Sequence, residues 1–563
     1  MSFGMLWQRL GMFVLATLCV GGASAMRANA QGGEPRTFAI HGAKVIPVSG
    51  PAMDDATVVV SLGVIVAVGK DVAIPADAWV IEGKGLTVYP GFIDGFTDVG
   101  LTAAPASGGG GESGRPPAPG NAAVISRGPE DRPATTPWRN AMDEINPSDS
   151  RIESWRSAGF TTTISAPKGA MFPGQAAVLD LEGERAGNLV VKGPVAVPVS
   201  LQAPGGFRSY PGSMMGSIAY VRQVWLDANW SAQAEAAYEK NPRGIERPRY
   251  DRTNATLAEA IGKHELVLLP GNTSQQIRRT MRLAEEWKLN SAIYGVQMGY
   301  EVAPEIAAKK LPVLVDLKWP EAEKDADPEA VTSLEILRFR DRAPSTPAAL
   351  EKAGVKFAFY SGGIATSKDL MPAVKRAIDA GLTRDVALRA LTLSAAEIFG
   401  VAQELGSIEK GKIANLVVTD GDVFETKTKV KMVFVDGRKF EVHEALRPSE
   451  PPKGDLTGKW TLKYTSPEGD DESVADLVMA SDGTLSGTVS GKRGTTNVFS
   501  GYLSGEKFSF EISLPIEGAP QTVTFSGTFE GSAMKGTISV IGYTFEFSGT
   551  KPSVAALQAG GAL

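Results

Sequence analysis

The sequence is poor in the residues from which most hydrolytic and metal centres are built. One cysteine, Cys19, and three histidines, His41, His264 and His443, are all that 563 residues contain. Cys19 lies within the first 30 residues, so the chain beyond them offers no disulfide, no thiolate ligand and no cysteine nucleophile. Three imidazoles cannot furnish a four-histidine centre from one chain. No apolar run after residue 30 is long enough for a transmembrane helix. Basic blocks are also missing and the formal charge is −6, which argues against a nucleic-acid partner.

What is present at the N-terminus is Arg9, an apolar run from Met12 to Val20, and small residues with two A-x-A sites, Ala23-Ser24-Ala25 and Ala28-Asn29-Ala30. This is the three-part pattern of a secretory signal peptide. Cleavage is expected after Ala30, which makes the protein periplasmic or secreted. Leu18 before Cys19 does not suit a lipoprotein site. Without Arg9 and Arg27 the 57 basic residues fall to 55 against 63 acidic ones, a mild excess of negative charge.

With 43% hydrophobic and 21% charged residues the chain is globular and long enough for several domains. From Thr37 to Tyr89, short apolar runs between turns read as strands of a small antiparallel sheet. Around Thr87–Leu101, TVYPGFIDGFTDVGL reads as a strand entering a buried sheet, with polar residues at its C-terminal end. Ala104–Gly120, rich in glycine, proline and serine, cannot bury a core and reads as a flexible insert. From Ser148 onward strand and helix alternate, the first helix capped by Ser148 or Asp149, in the rhythm of a parallel barrel. Met214–Ile261 reads as helical, with Trp225 and Trp230 on a packing stripe. After a proline-rich joint at Arg447–Asp455, residues alternate at period two with glycine turns every 8–12 positions, the pattern of a small antiparallel barrel or sandwich with a filled core.

Pro90-Gly91-Phe92-Ile93-Asp94-Gly95-Phe96-Thr97-Asp98 resembles the first-strand signature of the amidohydrolase superfamily, P-G-[FL]-I-D-x-H-x-H. A second segment, ELGSIEKGKIANLVVTDGDVFETKTKVKMVFVDGRKFEV from Glu404 to Val442, resembles the superfamily's closing strands. The stretches FTTTISAPKGAMFPGQAAVLDL, HELVLLPGNTSQQIRRTMRLAEEWKLNSAIYG and GVKFAFYSGGIATSKDLMPAVKRAIDAGLTRDVALRALTLSAAEIFG resemble its intervening barrel segments, and the secreted imidazolonepropionase- and prolidase-like branch is the nearest match in style. The resemblance implies an α/β fold: a distorted (β/α)8 TIM-type barrel over 91–401 with the 104–120 insert, and a composite β-sandwich from 31–90 and 402–445. After residues 1–30 as signal, a 446–455 linker leads to a C-terminal all-β domain at 456–551 and a tail at 552–563. It also implies hydrolysis of non-peptide carbon–nitrogen bonds, with zinc or another divalent metal as cofactor.

Against that pattern the chemical positions are substituted. Phe96 and Asp98 stand where the entry histidines would be, Pro270 and Tyr294 where mid-barrel histidines would be, and Gly362 where an aspartate base would follow the last strand. Ser200 and Gln202 stand where a bridging lysine can occur, and Lys192 falls too early for it. No spare histidine lies near any of these: His41 and His443 fall on the sandwich, and His264 precedes its strand at the barrel's lower end. No bound metal or other cofactor is therefore expected. Barrel-mouth candidates for ligand binding are Asp94, Lys168, Gln202, Asn272, Asp316 and Ser361, with Lys168 in reach of an anion or else a solvated loop lysine.

Three readings follow. A degenerate member binds a small amide or cyclic ligand, or an intact amidohydrolase as partner in a hetero-oligomer. Alternatively Asp94, Asp98 and Asp316 form an oxygen-rich site for a harder cation in an active hydrolase; or the C-terminal β domain carries the function as a binding module. Ser361 lacks a nucleophile elbow and a histidine to activate it.

Overall fold

Apolar runs separated by turns at the N-terminus form β1 (Thr37–Val45), β2 (Met53–Ser61), β3 (Val64–Gly69), β4 (Trp79–Glu82) and β5 (Thr87–Pro90). The computed structural model describes residues 37–551 except 103–131, 133, 183–184, 203–210, 323–330 and 443–449, and short turns at 467–468, 481, 493, 517–518 and 541–542. The expected signal segment, the 104–120 insert, residues 446–449 of the expected linker, His443 and the tail lie outside the described residues.

The chain then enters β6 (Phe92–Thr97), β7 (Phe160–Ser165), β8 (Ala176–Asp180), β9 (Val190–Pro198), β10 (Leu266–Gly271), β11 (Ser291–Gly295), β12 (Val313–Asp316) and β13 (Phe357–Tyr360), paired in that order in one eight-stranded sheet. The sheet curls into a nearly closed barrel. At its seam Gly95 of β6 lies so near β13 that a Cβ would stand 2.7 Å from the Phe359 carbonyl oxygen, and the Ser361 amide donates to Asp94 at 2.9 Å. Ile93, Ile164, Val178, Ala196, Leu268, Ala292, Leu314 and Ala358, one from each strand, face inward and fill the barrel, so it is a packed core with chemistry confined to its rim.

One strand departs from the parallel expectation. β8 runs antiparallel to both β7 and β9. The reason is length: only Ala166–Gln175 joins β7 to β8, without a helix, and a parallel crossover needs roughly a dozen residues or more. Other links carry helices: α1 (Ser150–Ser157), whose N-cap Asp149 accepts from the Arg151 amide; α2 (Met214–Lys240) and α3 (Arg252–Gly262); and α4 (Ser274–Glu286), opened by a capping box of Thr273 and Gln276. Trp225 of α2 is buried and stacks on Trp287 with centroids 5.9 Å apart. Trp230, expected on the same packing stripe, is instead 69% exposed.

The chain returns through β14 (Leu416–Thr419), β15 (Val430–Val435) and β16 (Arg438–Glu441), which extend the first sheet in the order β16-β15-β14-β5-β1-β2-β3. That sheet is mixed, because β1 pairs parallel with β4 and β5; period-two patterning alone does not carry strand direction.

One buried carboxylate ties this sheet to the barrel. Asp180, 2% exposed at the end of β8, accepts through Oδ1 from Thr162 Oγ1 at 2.7 Å and from Asn415 Nδ2 at 2.8 Å, and Asn415 leads into β14. Burial raises its pKa to about 7, with the nearby charges of Asp436 and Glu182 adding to the shift. The folded state therefore holds this proton more tightly than the unfolded chain, where an aspartate titrates near about 4. Its stabilising share is full below that value and is lost as pH rises through about 7. Asp180→Asn is accordingly expected to flatten the pH dependence of stability between about pH 4 and 7, gaining a few kcal/mol on the parent at alkaline relative to acid pH. Urea unfolding at pH 5 and pH 8 measures this, and equal differences at both would contradict it.

The C-terminal unit is a closed antiparallel barrel of β17 (Gly458–Ser466), β18 (Gly469–Met479), β19 (Thr484–Gly491), β20 (Gly494–Ser504), β21 (Lys507–Ile516), β22 (Ala519–Glu530), β23 (Ala533–Val540) and β24 (Tyr543–Thr550). Alternate residues point inward and the interior is filled. Trp460, Phe508, Phe510, Phe525 and Phe547 form its centre, Phe510 and Phe525 stacking at 4.8 Å. Each such side chain contributes about 1.5–3 kcal/mol through burial. Among the described residues no helix is long and apolar enough to cross a membrane.

Candidate functional site

The rim where β6, β11, β12 and β13 end is built around an aromatic cluster and two carboxylates. Phe96 packs on Tyr294 with centroids 5.1 Å apart and on Tyr360 at 5.9 Å. The Tyr294 hydroxyl donates to the Val199 carbonyl at 3.0 Å, and burial holds its pKa above the usual phenol value. The rings meet one another at this rim, and the Tyr294 hydroxyl is already spent on the backbone.

Asp94, 1% exposed, is fully engaged. Its Oδ2 accepts from Trp155 Nε1 of α1 at 3.1 Å and its Oδ1 from the Ser361 amide at 2.9 Å. Burial raises its pKa against the pull of those hydrogen bonds. The residue is a clasp between the first strand, the first helix and the end of the last strand.

Asp316 ends β12 with Oδ1 accepting from the Lys318 amide at 2.7 Å. Tyr360 approaches Oδ2 at 3.4 Å, longer than a good hydroxyl–carboxylate bond. Burial raises the Asp316 pKa to about 7, the Lys318 amide and Tyr360 hydroxyl oppose the rise, and the charge of Asp94 adds to it. The carboxyl stands in space that a side chain at position 362 would need. Gly362 has φ +59°, and a Cβ there would lie 1.6 Å from Asp316 Oδ1. A carboxylate from the neighbouring strand thus fills the place from which an aspartate at 362 would project.

Asp98 faces away from this group. It receives Arg151 Nη1 at 3.1 Å and Lys168 Nζ at 2.9 Å, while Arg151 also bonds the Asp98 carbonyl and Asp149. Burial opposes its charge, but the Lys168 ammonium and the Arg151 guanidinium outweigh that and hold its pKa below the ordinary carboxylate value. The anion that Lys168 reaches is therefore this chain's own.

The model of the Amidohydrolase family matches residues 323–440. An amidohydrolase from Thermotoga maritima is similar over 72% of this chain and 100% of its own length, at 25% identity and a TM-score of 0.59. The family match and the structural likeness together support the amidohydrolase superfamily for this chain. A prolidase complexed with N-methylphosphonate-L-proline and a Xaa-Pro dipeptidase with bound methionine each align over 72% of the chain, at 20% and 15% identity, with TM-scores of 0.45 and 0.44. No curated protein matches the sequence.

The residues of the barrel mouth do not fit a catalytic divalent ion. Among the described residues no three of histidine, cysteine, aspartate and glutamate come together as metal ligands. The proposed trio of Asp94, Asp98 and Asp316 is not assembled, because Asp98 is drawn off by Arg151 and Lys168 and Asp94 is held by Trp155 and Ser361. Of the remaining candidates, Asn272 is exposed at the head of α4, where its backbone N–H donates to Gln276 Oε1. Gln202 is exposed and its backbone N–H donates to Ser200 Oγ. Lys192 is turned to the Gly400 carbonyl at 2.7 Å. His41 pairs with Thr57 Oγ1 at 2.9 Å on β1, and His264 sits exposed before β10.

Three members of the rim were not among the residues singled out from sequence: Trp155, Arg151 and Tyr360. Trp155 and Arg151 lie in a helix whose apolar face suggested packing only. Tyr360 directly precedes Ser361, and its place at the end of a barrel strand is the signal that a search for rim residues would use.

Proposed function

We propose that this chain is an exported amidohydrolase-superfamily protein that has given up the metal centre and acts by binding, either a small amide or cyclic ligand at the barrel mouth or an intact superfamily member as partner. The observation that carries this reading is the Phe96–Tyr294–Tyr360 cluster, which puts rings where a cation would need lone pairs, while the adjacent carboxylates are committed to protein donors. A divalent ion needs oxygen or nitrogen donors converging at about 2.0–2.6 Å. Here Asp316 is the carboxylate left with spare acceptor capacity, and one carboxylate does not retain a metal. The signal-like N-terminus supports export, and the superfamily's C–N hydrolysis supplies the class of ligand.

Metal analysis of the purified protein tests the reading. Elemental analysis after dialysis is expected to find far less than one zinc, manganese or iron per chain, and adding these ions is not expected to elicit turnover of amide substrates. About one tightly held ion per chain, lost together with activity in Asp316→Ala, would overturn it.

A further inference from the structure

Beyond the barrel mouth, the C-terminal unit carries a cleft of about 1160 Å3. It lies along the band where β18, β17, β24 and β23 run side by side, at the height where Tyr464 pairs with Asp471 and with Phe547, and Phe547 with Gly536. We infer that this cleft is a binding site for an uncharged oligosaccharide.

The charges in the cleft exclude most other ligands. Its lining carries three lysines and four acids, and two of the lysines pair with two of the acids within it. Lys492 stands 3.2 Å from Asp471 and Lys463 stands 3.8 Å from Glu472, while Thr465 donates to Asp470 at 2.7 Å. A near-neutral cleft offers no sustained potential to a polyanion or a polycation. Lipids are disfavoured because the barrel interior is already filled by aromatic side chains and the cleft itself is edged with charged and hydroxyl groups.

Peptide capture by strand addition is excluded by closure. Each of the eight strands is hydrogen-bonded on both sides, so there is no free edge to which a chain could add.

What remains complementary is a ligand with many donors and acceptors and no charge. Ion-paired carboxylates and ammoniums, together with the hydroxyls of Thr465, Thr537 and Ser548, present alternating acceptors and donors. Tyr464, half-buried with its hydroxyl on Ser473, adds apolar surface for the C–H face of a sugar ring. The volume exceeds the roughly 300–1,000 Å3 typical of small-ligand pockets, so it suits a chain of several sugar units.

Calorimetric titration of the full-length protein with chitotetraose, cellotetraose and maltotetraose tests this, with a sulfated heparin tetrasaccharide and the peptide Lys-Ala-Glu-Ala as contrasting ligands. At least one uncharged tetrasaccharide is expected to bind. Thr537→Trp and Ser548→Trp, each placing an indole in the cleft, are expected to weaken it about tenfold or more with circular dichroism unchanged in at least one of them. Asp316→Ala, in the other unit, is expected to leave the affinity as it was, which separates this site from the barrel mouth. Absence of binding by all three up to about 10 mM, a preference for heparin or the peptide, or affinity indifferent to both tryptophans in folded protein would each overturn the inference.

Discussion

Gly362→Ala is expected to destabilise the barrel by about 3–5 kcal/mol. Two causes add. At φ +59° an alanine is held in the left-handed region, at a cost of about 1–2 kcal/mol. Its methyl group would also fall 1.6 Å from Asp316 Oδ1, so the carboxylate must leave the Lys318 amide and the Tyr360 hydroxyl and stand in an apolar mouth without them. The pair of causes is separable. Asp316→Gly in the same chain removes the overlap and leaves the backbone strain, so the double variant should recover all but about 1–2 kcal/mol of the loss. Denaturant unfolding of parent, single and double variants reads both. A loss under about 1 kcal/mol for Gly362→Ala would mean that Asp316 does not occupy this place.

Trp155→Phe is expected to cost about 2–4 kcal/mol, and to cost more as pH rises. The indole is 2% exposed and its N–H is one of the donors that hold Asp94 across the barrel seam. Phenylalanine leaves both a void and a buried carboxylate oxygen without its donor. Losing that donor raises the folded pKa of Asp94 further above the unfolded value. The stability lost is therefore small where the carboxyl is protonated in both states and grows with pH above the ordinary carboxylate range. A cavity alone would give a loss independent of pH, so urea midpoints at pH 5 and pH 8 distinguish the two origins.

These effects rest on contacts of very different legibility in the sequence. The barrel was readable because strand and helix alternate from Ser148 onward and because the closing segment Glu404–Val442 recurs in the right place. The scarcity of imidazole was readable from the composition alone, since the chain has three histidines in all. The antiparallel course of β8 was readable only by counting the connection, as Ala166–Gln175 is too short for a crossover. Pairings set by the fold were not readable. Asp98 meets Arg151 and Lys168 across 53 and 70 positions, and nothing local to any of them states that the carboxylate is neutralised by its own chain. The exchange at the last strand is of the same kind: glycine at 362 looks like a deletion of chemistry until Asp316 is seen filling its space from the neighbouring strand. Sequence pattern reports periodicity and composition, whereas the state of a rim carboxylate depends on which distant donors the barrel brings to it.

The proposal that this barrel mouth holds no ion is tested most directly by anomalous diffraction at the zinc edge from crystals grown with excess zinc. No anomalous peak is expected among Phe96, Tyr294, Tyr360 and Asp316. A peak there, coordinated by Asp316 with Asp94 released from Trp155, would contradict the proposal.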